Sequence, residues 1–349
     1  MPNLSHLILP PSADFAALEG VLQNLEGIAL ICEGQNLLGV VTDGDYRRAK
    51  QAGKVFKKAI DIATTEVITA SKDISDENAI KMMNESKSFQ LLHLPTLDED
   101  GMLYDLKTLR ELKYQNKLPA RALIMAGGYG KRLGNLTKAI PKPMLKVDSK
   151  PILELIIDQF VKVGITEIAI STHFLPDVIK NYFKDGKEFG ANIQYIDEDE
   201  PMGTGGALFA LKPSENNTII INGDILSNIN LTSFVEAHLQ SKADITVASK
   251  VYEMQVPYGV LKTGEDGFIN DIEEKPSKKF FVNSGIYIFS PSVIEPSEKI
   301  KKIDMPDIVK NKMGKSKKIA AFVMHEDWLD VGQPRDFEQA EKHYQKIKS

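Results

Sequence analysis

Residues 121–147 read RALIMAGGYGKRLGNLTKAIPKPMLKV. The apolar run Ala122 to Ala126 has the length and composition of a buried strand. Glycines at 127, 128, 130 and 134 follow it at once. Glycine reaches backbone angles closed to other residues and lets a ligand approach the main chain. Successive peptide N–H groups in such a loop converge on phosphate oxygens. Lys131 and Arg132 place two cations beside that cradle, and Lys142 adds a third between Pro141 and Pro143. A buried strand that empties into an anion-binding loop belongs to an open α/β sheet, where ligands sit beyond the carboxyl ends of the strands.

Two common glycine loops are excluded by spacing. The P-loop needs G-x-x-x-x-G-K-[ST], but Met125 stands at its first glycine and Arg132 follows Lys131. The dinucleotide fingerprint G-x-G-x-x-G needs a glycine where Leu133 stands. The stretch instead resembles the signature of sugar-1-phosphate nucleotidyltransferases, G-G-x-G-[ST]-R-L followed by K-P. The resemblance implies that Gly127, Gly128 and Gly130 bind the nucleotide and that Arg132, Lys142 and Lys131 are the catalytic cations. Lys131 departs from the family, which has Ser or Thr there; a hydroxyl contact is lost and positive charge is kept. The resemblance runs from about Arg121 to the C-terminus.

Composition narrows the function. A chain of 349 residues with a net charge of −5 is expected to hold two domains and offers no electrostatic footprint for nucleic acid. The one cysteine, Cys32, excludes an intrachain disulfide and suits a reducing cytoplasm; its apolar neighbours make it a core thiol. Neither a signal peptide nor an eighteen-residue apolar run is present, so no membrane association is expected. The six histidines show no metal-ligand spacing.

The N-terminal part carries an internal repeat of about fifty residues. Apolar runs Ile28–Ile31 and Leu37–Val41 flank a turn and suggest a hairpin, followed by a helix after Thr42. Residues 74–112 repeat that theme. This half resembles a tandem CBS module, a family that binds adenine nucleotides. Gly39, Thr42 and Asp45 meet its ribose pattern G-x-x-[ST]-x-x-D, so Thr42 and Asp45 are candidate ligand residues. The same two residues also suit a plain helix cap. In the second copy, residues 104–107 (YDLK) fall where the pattern should recur. The domains expected are 1–116, a smaller α+β tandem CBS domain, and 120–349, a Rossmann-like α/β nucleotidyltransferase domain with a mainly parallel sheet; residues 115–119 are the boundary.

Later motifs extend the nucleotidyltransferase resemblance. Residues 218–224 (TIIINGD) form a buried strand with Asp224 at its tip, and Asp330 sits in WLDVG. Carboxylates together with substrate phosphate oxygens are the usual holders of Mg²⁺. The family places its two metal-binding aspartates at these positions, so Asp224 and Asp330 are the candidate metal ligands and Mg²⁺ the expected cofactor. In EDEPMGTGGAL, the resemblance puts the base-reading residue at Glu198 and nucleotide contacts at Gly203 and Thr204. An ionised carboxylate only accepts hydrogen bonds; guanine offers two adjacent donors, so Glu198 favours GTP. Gly259, Glu274, Lys275 and Asn283 match the sugar-phosphate motifs. The P-loop-like Met313-Gly314-Lys315-Ser316 lacks its first glycine and reads as solvated surface.

The resemblance thus implies Mg²⁺-dependent transfer of GMP from GTP to a sugar-1-phosphate, a hexosamine-1-phosphate being expected, for surface-glycan synthesis. The alternatives are the same chemistry with UTP, dTTP or CTP, and a non-catalytic regulatory subunit that senses nucleotides. A cytoplasmic homo-oligomer, with an adenine nucleotide as the candidate ligand of its N-terminal domain, completes the expectation.

Overall fold

The computed structural model describes residues 4–23, 26–53, 56–85, 91–114, 118–295, 302–337 and 340. The N-terminal half starts with β1 (Ile8–Leu9), α1 (Phe15–Leu22), β2 (Ile28–Glu33), β3 (Asn36–Thr42) and α2 (Asp43–Gln51). It continues with β4 (Ala70–Ser71), α3 (Asp76–Glu85), β5 (His93–Leu97), β6 (Leu103–Thr108) and α4 (Leu109–Tyr114). The repeat is real at the level of pairing. In each unit the short first strand is parallel to the second, which is antiparallel to the third. Alternation along β2 explains how the units join. Ala29 and Ile31 pack with Leu18 and Val41 of their own unit, while Ile28, Leu30 and Cys32 pack with Leu103 and Leu106 of the other. Burial pushes the Cys32 thiol up to about 11, as a core thiol requires.

The second copy corrects the sequence register. Residues 104–107 lie inside β6, and the equivalent of Thr42 is Thr108, four residues later. Thr108 Oγ1 accepts from the Glu111 N–H at 3.2 Å, the counterpart of the Thr42–Asp45 cap. Part of the expected boundary, residues 115–117, lies outside the described residues. Leu118 already belongs to the second core.

That second core is built on β7 (Ala120–Met125), β8 (Lys146–Val147), β9 (Lys150–Pro151), α5 (Ile152–Lys162), β10 (Glu167–Thr172), α6 (Pro176–Phe183) and β11 (Asn192–Asp197). Then come β12 (Asn217–Asn222), β13 (Ile225–Ser227), α7 (Leu231–Ser241), β14 (Ile245–Gln255), β15 (Val260–Thr263) and β16 (Ile269–Glu273). β17 (Ser277–Phe289), α8 (Met305–Met313), β18 (Ile319–Met324) and β19 (Trp328–Asp330) complete the order. The central sheet runs β11-β10-β7-β12-β17-β14-β18. All neighbours are parallel except β17, which is antiparallel to both β12 and β14. The expected mainly parallel α/β sheet is therefore present.

Helix α5 shows why the sheet is covered. Ile152, Leu153, Ile156, Ile157 and Phe160 recur at helical spacing and are all buried. Truncating Phe160 to alanine would leave a cavity costing about 3–5 kcal/mol. Helix α7 begins before Ser233, because Asn230 Oδ1 accepts the Ser233 N–H at 3.0 Å and is the true cap. Residues 206–210 form only a 3₁₀ turn. Among the described residues, no helix is long and apolar enough to cross a membrane.

Candidate active site

β7 delivers its chain into the glycine loop beside the carboxyl end of β12. Gly130 has φ +63°, and a Cβ there would lie 3.0 Å from Thr137 Cγ2 and 3.2 Å from Lys142 Cβ. Only glycine lets the loop close onto Lys142 in that backbone state. Thr137 Oγ1 donates to the Gly130 carbonyl at 3.0 Å and holds the turn.

Beneath the loop, Lys142 is buried, with its ammonium on the Asp224 carboxylate and 3.9 Å from Asp330 Oδ1. The two aspartates meet through a ribbon that the sequence did not announce. β13 pairs antiparallel with β19, setting Ile225 opposite Asp330, and the Val331 N–H donates to the Asp224 carbonyl at 3.1 Å. Asp330 Oδ1 is buried and accepts no hydrogen bond. Burial first, and the neighbouring Asp224 charge second, raise the Asp330 carboxyl above the usual range; Lys142 and Arg132 act against this. A Cβ on Gly332 would lie 3.5 Å from both Arg132 Nη1 and Asp330 Oδ1, so the Arg132 guanidinium lies over this corner.

An unsatisfied carboxylate oxygen beside a second carboxylate, beneath the glycine loop, is a donor set that fits Mg²⁺ completed by phosphate oxygens and water. Among the described residues no group of three or more His, Cys, Asp or Glu side chains forms a metal cage. A two-carboxylate site of this kind depends on its substrate.

Glu198 is buried under the other side of the loop. Its Oε2 accepts from the Met202 N–H at 3.0 Å, and a Cβ on Gly127 would come within 3.3 Å of it. Behind it His173 Nδ1 lies 2.7 Å from the Glu198 carbonyl, and Tyr129 OH lies 2.8 Å from His173 Nε2. The sequence reading treated His173 as one of six scattered histidines; its position after β10 was the missed signal. Lys131 Nζ lies 5.2 Å from the centre of the Tyr129 ring, within the same loop. Gly128 is unobstructed on its Cβ side.

Gly203 has another reason for being glycine than the one its motif suggests. Its φ is +73°, and a Cβ would stand 2.6 Å from the Ile303 carbonyl oxygen. Thr204 is similarly engaged: its N–H donates to Asp304 Oδ1 and its Oγ1 accepts from the Met305 N–H, each at 3.0 Å. In this structure both residues serve the start of α8.

The sugar motifs divide. Gly259, Glu274 and Lys275 cluster at the open end of the exposed β15–β16 hairpin, where the Lys275 N–H donates to the Tyr258 carbonyl at 3.2 Å. Asn283 lies instead on β17. Its Oδ1 accepts from the Gly285 N–H at 3.0 Å and its amide donates to the Tyr287 hydroxyl. Trp328 Nε1 donates to the adjoining Ser284 carbonyl at 2.8 Å, which ties Asn283 to the aspartate ribbon.

In the N-terminal half, Thr42 and Asp45 form a capping box, and Asp45 also pairs with Arg48. They border a cavity of about 610 Å³ whose opposite wall is Ala320–Val323 of β18 with Ala237 and Gln240 of α7.

Known proteins resemble this chain over its C-terminal part. The sequence profile of the nucleotidyl transferase family matches residues 121–347. The chain is 34% identical over 226 residues to the D-glycero-alpha-D-manno-heptose 1-phosphate guanylyltransferase of Aneurinibacillus thermoaerophilus, a match covering 64% of this chain and 98% of that protein. It is 32% identical over 228 residues to a probable mannose-1-phosphate guanylyltransferase of Oryza sativa subsp. japonica, covering 62% of each. Among solved structures, HddC from Yersinia pseudotuberculosis complexed with GMP-PN has a TM-score of 0.50 and 27% identity, covering 64% of this chain and 99% of that one.

Proposed function

Because the chain belongs to the nucleotidyl transferase family, we propose that it transfers GMP from GTP to a sugar-1-phosphate and releases pyrophosphate. The observation that carries this reading is the Lys142–Asp224–Asp330 cluster under the glycine loop, with its unsatisfied Asp330 oxygen. Both reactants are polyanions, so the site must neutralise charge and align the attacking and leaving oxygens. The sugar phosphate is already an anionic nucleophile, and no side-chain base is required. The loop amides and Arg132 grip the triphosphate. Lys142, fixed by its two carboxylates, presents a buried cation to the α-phosphate. Asp224 and Asp330 would hold Mg²⁺, which would supply positive charge to neutralise the phosphates. Lys275 would hold the sugar phosphate, with Glu274, Asn283 and the Gly259 N–H on the sugar hydroxyls.

The guanine preference rests on Glu198, buried under Gly127 with its carboxylate ready to accept, and is supported by the guanylyltransferase names of the relatives. Those relatives are named for heptose and mannose phosphates, whereas a hexosamine phosphate is the sugar proposed from the sequence. On the N-terminal half we propose an adenine nucleotide in the cavity bordered by Thr42 and Asp45, as in CBS modules. Pyrophosphate release from GTP, UTP, dTTP and CTP, each with mannose-, heptose- and hexosamine-1-phosphates, tests the reading. Release from GTP with one of these sugars is expected. Absence of release from every pair, in a folded protein with Mg²⁺, would leave the nucleotide-sensing alternative.

A further inference from the structure

We propose that Arg47, in the N-terminal half, is a positioning residue for the active site: it holds the far end of the ribbon that carries Asp330. This rests on Asp330 being a reaction-site residue, as proposed above.

Arg47 projects from α2 and is buried between the two halves. Its Nε donates to Asp43 on its own helix. Its Nη1 donates to the Val323 carbonyl at 2.7 Å and to Glu326 Oε2 at 3.0 Å, and its Nη2 to Glu326 Oε1 at 2.7 Å. Cζ lies 4.0 Å above the Phe322 ring. The guanidinium thus uses its planar fork, two carboxylates, a carbonyl and a stacking face at once, a combination that lysine cannot reproduce. Burial alone would raise the Glu326 carboxyl, yet Arg47 and local N–H groups hold it down to about 2.

Glu326 is the centre of a clamp. Its Oε1 also accepts the Asn230 N–H at 3.1 Å, and its Oε2 the His325 N–H at 2.9 Å. Lys250 Nζ donates to the His325 and Glu326 carbonyls at 3.0 and 2.6 Å. The chain then enters β19, whose partner β13 follows directly after Asp224. Ser227 pairs with Trp328 at the clamped end and Ile225 with Asp330 at the other. Three residues span about 10 Å. The N-terminal half therefore grips one end of a short ribbon whose other end is the carboxylate pair.

A purely stabilising role explains this poorly. A buried ion pair is often no more stable than apolar residues of the same volume, and its best-attested use is to fix register. Here the register matters, because slipping β19 along β13 moves Asp330 away from Asp224 and Lys142. Arg47 also borders the cavity that contains Thr42 and Asp45. An occupant of that cavity would meet the guanidinium that holds the ribbon.

The test uses the full chain with Arg47→Lys, which keeps the charge but loses the fork, and Glu326→Gln, which keeps the size and most hydrogen-bond geometry. Amide hydrogen exchange is measured without metal or substrate, and kcat and KM with both. The amides of residues 225–227 and 329–331 should exchange about tenfold faster in both variants while those of β7 and β12 change by less than about twofold. The kcat should fall by about ten- to a hundredfold, with KM for GTP moving less than about threefold. Unchanged ribbon exchange, faster exchange throughout the central sheet, or a faster ribbon with unchanged kcat would each overturn the proposal. If the wild-type chain turns over no substrate pair, the functional reading fails, and the exchange pattern still decides whether Arg47 holds the ribbon.

Discussion

Glu198→Gln isolates the step by which the base would be chosen. The side chain is 8% exposed and one oxygen is already committed, Oε2 accepting the Met202 N–H at 3.0 Å. Glutamine has the same length, and its amide oxygen can keep that bond. The amide nitrogen is then left in place of the second carboxylate oxygen. It presents donors where the adjacent N1–H and 2-amino donors of guanine arrive. A charge-assisted hydrogen bond is lost, which costs about 1.5–3 kcal/mol. That corresponds to about one to two decades in kcat/KM for GTP. Uracil has one donor between two acceptors, which an amide serves better than a carboxylate, so kcat/KM for UTP should hold or rise. The assay is pyrophosphate release at one fixed sugar-1-phosphate, varying GTP and then UTP, with a melting curve to show that the fold survives. A Gln variant that keeps the wild-type ratio of GTP to UTP would refute the argument and remove Glu198 from the base site.

Other perturbations follow from the same geometry. Asp224→Asn and Asp330→Asn should each lower kcat by about a hundredfold or more while melting within a few degrees of wild type; full activity in either variant excludes that residue from the metal pole. Gly203→Ala puts a Cβ 2.6 Å from the Ile303 carbonyl oxygen at a positive φ, and should destabilise by about 1–3 kcal/mol in denaturant melts; an unchanged midpoint would mean that the packing against 303–305 is not required. Burial raises the Glu236 carboxyl on α7 well above the usual glutamate range, with Arg110 opposing and Asp43 and Glu26 reinforcing the upward shift. Its contribution is complete below the unfolded glutamate range of about 4.3 and is lost as pH rises through the raised folded value. Wild type should therefore lose stability on the alkaline side relative to Glu236→Gln, the two converging in acid; parallel curves would contradict the raised Glu236 carboxyl.

Legibility followed the range of the interaction. The glycine loop, Lys142 and the TIIINGD strand announce themselves because strand, turn and cation are contiguous, and the structure brings them together. The ribbon was hidden: β13 and β19 have three residues each, too few to show a period, and their pairing joins distant segments. The junction between the halves was hidden for another reason. Arg47, Glu236 and Glu326 are charged residues that read as solvated faces, and only the partner across the interface makes them buried. His93 illustrates the point: burial holds it down to about 4 although it lies 3.8 Å from the Glu236 carboxyl. The four-residue error in the second repeat arose from matching a family pattern by spacing, when the cap after β6 was the physical marker. Gly203 was assigned to a ligand because glycine loops often face one; here a carbonyl oxygen fills the space.

The ribbon also sets an order of events in time. Its two strands are roughly a hundred residues apart, so closing it carries the entropy of a long loop, and such contacts form late. β7, β10 and β11 can pair while the chain beyond them is still unstructured, whereas Asp330, which follows β18 in the chain, is expected to reach Asp224 after β18 has docked on β14. On dilution from denaturant, the central sheet should regain its spectroscopic signal before any catalytic competence returns. The delay between the two traces would be the time the chain needs to bring its last strand home.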